Sequence, residues 1–340
     1  MKLPEEILNK VSELSYDLNK KEISQNFRKI SDKYIGEKSG KSLLNKDDEA
    51  IAYAITRMPA TYGATKTACS QIVEILNLIK NEKMNLNNFK TLIDIGAGTG
   101  AATLAINEFF NLEKITCFER EEAMIKLGKT LLAASSYQGI KNTNWIKLDL
   151  NNLLEKEVEF NESADIVISS YMLNEFAEEK LLRIVEKMWK MTGKLLIIVD
   201  PGTPKDHKRL LKIKDCLSEL GGNILAPCTC DKECGLPETD WCHFSCRIER
   251  TKLQKEAKMA NVPYEDEKFT YLAVLKFNEN IDFGNFSRII RHPVIRNNMV
   301  EVKLCSKCGI TNKIFTKKDK ELYKIIRKSK VGDIINNDSI

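Results

Sequence analysis

The chain is 340 residues long, 43% hydrophobic and 30% charged, with a formal net charge of +5. This is ordinary globular composition, with apolar material for a sizeable core, and the length suits one large domain with additions, or two domains. No apolar run approaches the ~18 residues of a membrane-spanning helix, and the N-terminus lacks the apolar core of a signal peptide and the acid-poor, Arg-rich character of a transit peptide, so the expectation is a cytoplasmic monomer with no membrane segment.

Residues 1–85 read as a helical region. Leu3, Ile7, Val11, Leu14 and Leu18 recur at helical spacing, and Cys69–Lys80 carries Ile72, Val73, Ile75, Leu76 and Ile79. A polar loop is expected near Gly36–Asp48. The stretch AYAITRMPATYGA, with Pro59 and Gly63, is expected to cross the mouth of the domain that follows. From about residue 90, short apolar runs alternate with longer amphipathic ones. The strand candidates are Thr91–Ile95, Lys114–Phe118, Trp145–Leu148, Asp165–Ile168 and Leu195–Val199. Helices such as Ala101–Phe110 and Lys180–Met191 fit between them. Such alternation predicts right-handed βαβ units and a parallel sheet. A helix over Lys205–Leu220 follows, then a cysteine-rich segment from Gly221 to about Glu267, then strands at Thr270–Phe277 and Val300–Leu304.

Thr91-Leu-Ile-Asp-Ile-Gly-Ala-Gly-Thr-Gly100 is a strand, a glycine-rich turn and a helix start. Gly96, Gly98 and Gly100 let the backbone turn tightly and approach a ligand closely, with Ala97 in the same candidate cofactor-binding loop. A dinucleotide fold prefers G-x-G-x-x-G, which seats a pyrophosphate on the helix N-terminus. Here the spacing is G-x-G-x-G, and Asp94 would repel a pyrophosphate. An acid there suits a cofactor with an amino group and a sulfonium. The segment resembles the first motif of class I methyltransferases, which bind S-adenosylmethionine. Glu119 ends the second strand, where a carboxylate can accept both ribose hydroxyls. Asp149 ends the third strand and resembles the acid that contacts the adenine amino group. A fold that keeps this shape and binds nothing is the competing reading.

The fourth strand runs into Ser169-Ser-Tyr-Met-Leu-Asn-Glu-Phe176. It has no Pro-Pro-aromatic signature of amino-methylating enzymes and no Pro-Cys nucleophile of cytosine-C5 enzymes. Tyr171, Asn174 and Glu175 could line a substrate pocket. As readily, Tyr171 and Leu173 pack against the next helix while Asn174 caps it. No catalytic residue is named, and whether the chain is an enzyme stays open.

Ten cysteines are present, seven of them between Cys228 and Cys308. Cys228, Cys230, Cys234, Cys242 and Cys246 crowd one short segment. In a reducing compartment, thiols clustered in this way point to metal rather than to disulfides. Zinc is usually held by paired C-x2-C knuckles, and only Cys305-Ser-Lys-Cys308 has that spacing. Wider loops can wrap an iron–sulfur cluster with four thiolates. Spacing leaves the two nearly even.

The chain resembles the methyltransferase-like assembly factors of the small ribosomal subunit, found in bacteria and mitochondria. The matching stretches are Arg57-Met-Pro-Ala-Thr-Tyr62, DIGAGTG, Ser170-Tyr-Met-Leu-Asn-Glu175, Asp200-Pro-Gly-Thr-Pro204, Ala226-Pro-Cys228, Trp241-Cys-His-Phe-Ser245, Tyr264-Glu-Asp-Glu-Lys-Phe269, and Leu304-Cys305 with Gly309. The resemblance implies a four-iron, four-sulfide cluster on Cys228, Cys234, Cys242 and Cys305, with zinc as the alternative. The chain departs from the family pattern at Cys230, where relatives commonly have His, at the extra thiols Cys246 and Cys308, and at Asp200, where relatives often have Glu. His243 reads as a core or supporting histidine rather than a ligand.

The expected fold is therefore α/β, a class I methyltransferase Rossmann-like sheet with an N-terminal helical region and a cysteine-rich metal-binding insertion. Its parts would be the helical region 1–85, the core 86–225, the insertion 226–268, the last core strands with the final cysteine 269–310, and a basic tail 311–340. Between Ile281 and Lys330 there are 13 Lys or Arg against 4 Asp or Glu. That asymmetry fits a phosphate-rich partner, or merely a solvated lysine surface. With the resemblance, it points to small-subunit rRNA as partner, contacted by Arg288, Arg291, Arg296, Lys313, Lys317 and Lys318. The alternatives are an active rRNA methyltransferase and a small-molecule methyltransferase with structural zinc.

Overall fold

A computed structural model describes residues 1–16, 18, 23–26, 46–79, 84–155, 162–229, 233–277 and 285–337. The loop expected at Gly36–Asp48 falls largely outside the described residues, and Cys230 does so entirely. Helix α1 (Glu5–Leu14) buries Ile7 and Val11, and α2 (Asp47–Thr56) and α3 (Met58–Leu78) follow. The α3 helix is buried along most of its length, with Pro59 in its first turn, where the missing N–H has no helical partner to lose.

The first sheet has the order β3-β2-β1-β4-β5-β8-β6. Its strands are β1 (Thr91–Ile95), β2 (Lys114–Glu119), β3 (Asn144–Lys147), β4 (Ala164–Ser170), β5 (Thr192–Pro201), β6 (Asn223–Ala226), β7 (Phe244–Glu249) and β8 (Tyr264–Leu275). The five strands β1 to β5 pair in parallel, as the βαβ alternation predicts. The strand β8 runs antiparallel to β5, and β6 and β7 pair with successive stretches of its far edge. A parallel half reversed at β1 and closed by one antiparallel insertion is the strand order of the class I methyltransferase fold. The helices α4 (Ala101–Asn107), α5 (Glu122–Ala133), α6 (Glu178–Met191) and α7 (Pro204–Glu219) cover its two faces. The strands are apolar on both sides, so two separate cores form, one including Leu92, Ile166, Leu195 and Tyr271, the other Ile93, Val167, Leu196 and Leu272.

The late strand does not join this sheet, contrary to the expectation for Val300–Leu304. The far edge of β8 is already occupied by β6 and β7. After a short helix α8 (Lys252–Lys258) and β8 itself, the chain builds a second, five-stranded sheet. Its strands are β9 (Phe286–Ile289), β10 (Val294–Arg296), β11 (Met299–Ser306), β12 (Gly309–Thr316) and β13 (Ile334–Asn336). Val300, Val302 and Leu304 alternate inward and pack on Phe315, Tyr323, Ile326 and Ile335 as a third core. The segment expected as a basic tail is thus folded through residue 337. It supplies β12, helix α9 (Lys320–Lys328) and β13, with lysines on the outer surface of an amphipathic pattern.

Candidate functional site

Two cavities gather the four cysteines and part of the glycine loop with its acids. The first lies at the C-terminal ends of β1, β2 and β4. Gly96 and Gly98 line it, with φ of +71° and +57°. A Cβ on Gly96 would stand 2.5 Å from Met172 Cγ, so sterics and backbone both require glycine there. Ala97 and Gly100 shape the turn without lining the cavity. Ala97 N donates to Phe118 O at 3.0 Å, and Gly100 N to Ala97 O at 2.8 Å. Asp94 lies fully buried beneath the loop. Its Oδ2 accepts from Thr103 Oγ1 at 2.7 Å, while Oδ1 has no partner among the described residues. Burial pushes the Asp94 carboxyl up to about 7.

Glu119 closes the loop from β2. Its Oε2 accepts from Gly98 N at 2.8 Å, and its Oε1 from the Arg120 and Glu121 amides. Burial raises its carboxyl from the usual range, against these three backbone bonds. Asp149 lines the same cavity and accepts from Asn151 N at 2.9 Å. The three expected acids therefore gather around one loop, two of them on the cavity wall.

Further residues complete the wall. Tyr53, from α2, reaches the mouth, as expected of the segment that contains it. A Cβ on Gly98 would lie 3.8 Å from its hydroxyl. Arg120, Glu121 and Met172 complete the wall. Glu175 is there too, its carboxyl pushed up to about 7 by burial and lying 3.6 Å from the Arg120 guanidinium. The wall carries Glu119, Glu121, Asp149 and Glu175 against a single cation, a field that favours a cationic ligand.

After β4 both readings of the Ser170–Glu175 stretch hold in part. Leu173 packs in the second core, while Tyr171 and Glu175 line the cavity. Asn174 does not cap the next helix. That helix starts at Glu178 after Ala177, with no side-chain cap, and Asn174 Oδ1 is buried without a partner among the described residues. Tyr171 holds a left-handed φ of 57°, and its hydroxyl donates to Glu267 Oε1 at 2.9 Å. Such strain persists only where the surroundings enforce it, and it clusters at ligand sites.

The second cavity joins the two sheets. Cys228 follows β6, Cys234 and Cys242 lie in the β6–β7 connection, and Cys305 is on β11; all four line this cavity. The rest of the lining is mainly apolar, including Leu236, Tyr271, Ile290 and Ile310. Helix α7 presents His207, Leu210, Leu211 and Lys214 to it, an i, i+3, i+4, i+7 face. Two polar residues on that otherwise apolar face are the sequence signal that could have placed α7 here. Burial, reinforced by the other three thiols, drives the Cys242 thiol far up when no metal is bound. Among the described residues no three His, Cys, Asp or Glu converge closely enough to hold a single metal ion.

The extra thiols are elsewhere. Cys246 packs β7 against α3, 3.3 Å from where a Gly63 Cβ would be, and Cys308 is exposed in the β11–β12 turn. A polar latch holds the cysteine-bearing connection to the second sheet. Asp240 accepts from Arg291 Nη2, and from Lys303 Nζ at 3.0 Å. Trp241 Nε1 donates to Gly202 O at 2.9 Å, and His243 stacks on the Trp241 ring, which fits its reading as a supporting residue.

The basic residues divide. Arg288 is fully buried, which corrects its expected role as an RNA contact: its Nε donates to Pro227 O, and its Nη1 to Gly332 O and Gln71 Oε1. Arg291 is half-buried in the Asp240 latch. Lys313 is half-buried, its ammonium 5.6 Å from the Phe315 ring centre. Arg296, Lys317 and Lys318 are exposed.

Comparison with known proteins gives the family. A family model described as mitochondrial small ribosomal subunit Rsm22 matches residues 47–336. The human mitochondrial ribosome assembly protein METTL17 is 25% identical over 261 residues, covering 72% of this chain and 55% of that protein. The chain thus spans about half the length of that relative. A release factor glutamine methyltransferase of Clostridium acetobutylicum is 31% identical over 97 residues, 28% of this chain and 32% of that protein. Among solved structures, the magnesium protoporphyrin IX methyltransferase of Synechocystis with bound cofactor is 13% identical, with a TM-score of 0.40, over 70% of this chain and 87% of that one. The fold assignment rests on strand order rather than on so distant an overlap. With most of its length matched by one family model, the chain belongs to the Rsm22 family.

Proposed function

We propose that the chain is an assembly factor of the small ribosomal subunit. On this reading it binds S-adenosylmethionine in the β1–β4 cavity, carries a four-iron, four-sulfide cluster on Cys228, Cys234, Cys242 and Cys305, and contacts rRNA through its second sheet. The observation that carries the reading is the convergence of those four cysteines, from the β6–β7 connection and from β11, on one cavity. Four thiols among apolar walls form a donor set of the kind that holds iron–sulfur clusters. The cluster would supply a covalent staple between the β6–β7 connection and β11.

The first cavity also fits its ligand. Its acids complement a sulfonium and an ammonium, while Asp94 Oδ1, beneath the loop, and Asn174 Oδ1, in the turn after β4, have no partner among the described residues. On this reading Glu119 accepts the ribose hydroxyls and Asp149 accepts from the adenine amino group. No side chain at the end of β4 is identified as a base for methyl transfer. The division into parts expected from the sequence stands as a proposal, with the last cysteine and the basic segment reassigned to the second sheet.

Among the basic candidates, Arg296, Lys317 and Lys318 remain for phosphate. Removing one cation from a phosphate lowers the slope of log affinity against log salt by about 0.7 to 0.9. Binding of the full chain to small-subunit rRNA is expected, with Lys317→Ala and Lys318→Ala each reducing the slope by that amount. Absence of rRNA binding at moderate salt, together with turnover of a small methyl acceptor and one bound zinc, would replace this reading with that of a small-molecule methyltransferase.

A further inference from the structure

We propose that Arg288 is the positioning residue for the anionic group held by the four thiols, supplying it with a counter-charge and a hydrogen bond from Nη2. The inference rests on the cluster reading above. Arg288 is 0% exposed. Its Nε donates to Pro227 O at 2.9 Å, and its Nη1 to Gly332 O at 2.5 Å and Gln71 Oε1 at 3.3 Å. Its Nη2 is buried and has no acceptor among the described residues.

Arg288 does not itself line the thiol cavity, but three observations put it next to that cavity. In the β9–β11 pairing Arg288 stands directly opposite Cys305, so the two share one face of the sheet. Pro227, which Arg288 holds, lines the cavity and immediately precedes Cys228. Ile290, two residues along and on that same face, also lines the cavity. Arg288 thereby ties a ligand on one sheet to the chain before a ligand on the other.

The energetics point the same way. A guanidinium stays charged in any protein environment, and burying an ion costs several kcal/mol unless an opposite charge answers it. Its partners in the structure are neutral carbonyl and amide oxygens. Arg288 touches the field of Glu74, but no carboxylate lies in ion-pair range of it among the described residues. Four thiolates around an iron–sulfur core carry net negative charge, and their sulfurs accept hydrogen bonds from such donors. Lys214, also buried and on the cavity wall, adds a second cation to the surroundings.

The test uses the full chain, reconstituted anaerobically with iron and sulfide, in wild-type, Arg288→Gln and Arg288→Lys forms. The readouts are the reduction potential and the rate of iron loss to a chelator. Arg288→Gln should shift the potential to more negative values, because the reduced cluster loses its counter-charge. Arg288→Lys should restore the potential by restoring the charge. Both should bind iron more weakly, by roughly 10- to 100-fold in affinity, seen as faster loss to the chelator. Should Arg288→Gln fail to fold, Arg288→Lys decides alone: faster iron loss with an unchanged apoprotein melting temperature supports the proposal, and wild-type iron loss overturns it. Variants matching wild type in potential and iron loss, on a wild-type protein that does load, overturn this inference only. A wild-type protein that takes up no iron overturns the cluster reading and this inference with it.

Discussion

Asp94 shows how one buried carboxyl links stability to binding. Its folded pKa is raised to about 7 by burial, against a usual 3.8, so the folded state holds the extra proton between those values. The contribution of Asp94 to stability without ligand is therefore greatest below about pH 4, falls as pH rises towards 7, and then levels off. Glu175 and Asp200, also pushed up to about 7 by burial, act with the same sign. Thermal melts of the ligand-free protein should show a decline from pH 5.5 to 8 in wild type and a shallower decline in Asp94→Asn. A cationic cofactor favours the ionised form, so wild-type affinity by calorimetry should rise over the same interval. Asp94→Ala should weaken S-adenosylmethionine, and unchanged affinity would refute the loop assignment. The loop and its acids were readable from the sequence because glycine spacing and strand ends fix them locally. Tyr53, Arg120 and Met172 were not named, because only the three-dimensional approach of α2 and of the turn after β4 brings them to the wall.

Packing between elements leaves little room at a few points. Gly63 lies in α3 where that helix meets β7, and an added Cβ would stand 2.1 Å from Ile248 Cδ1. Both residues are buried, so Gly63→Ala should cost about 1–3 kcal/mol by overpacking, seen as a lower denaturation midpoint with an unchanged slope. The parallel strands were legible because each is an apolar run between amphipathic helices. The destination of Val300–Leu304 was not. Alternation V-E-V-K-L announces a strand with one buried face, yet it does not say which core that face meets. The partners are Phe315, Tyr323 and Ile326, in a segment whose lysines made it read as a tail. The same ambiguity misplaced Arg288. Its charge suggested a surface contact, whereas its strand position turns it inward against Gln71 and Pro227.

At the scale of the molecule, two sheets meet at four thiols and a polar latch. Cys228, Cys234 and Cys242 belong to the connection beyond β6, and Cys305 to β11. Asp240 bridges the same two parts through Arg291 and Lys303. A group held by all four cysteines would fix the basic second sheet relative to the first cavity. The measurement that bears most directly on this account is metal and sulfide analysis, with an absorption spectrum, of the anaerobically purified full chain beside Cys234→Ser and Cys305→Ser. The account predicts a brown protein with about four iron and four sulfide per chain, and loss of colour in both variants. A colourless protein with one zinc per chain, or a coloured one that keeps its iron in both variants, would contradict it.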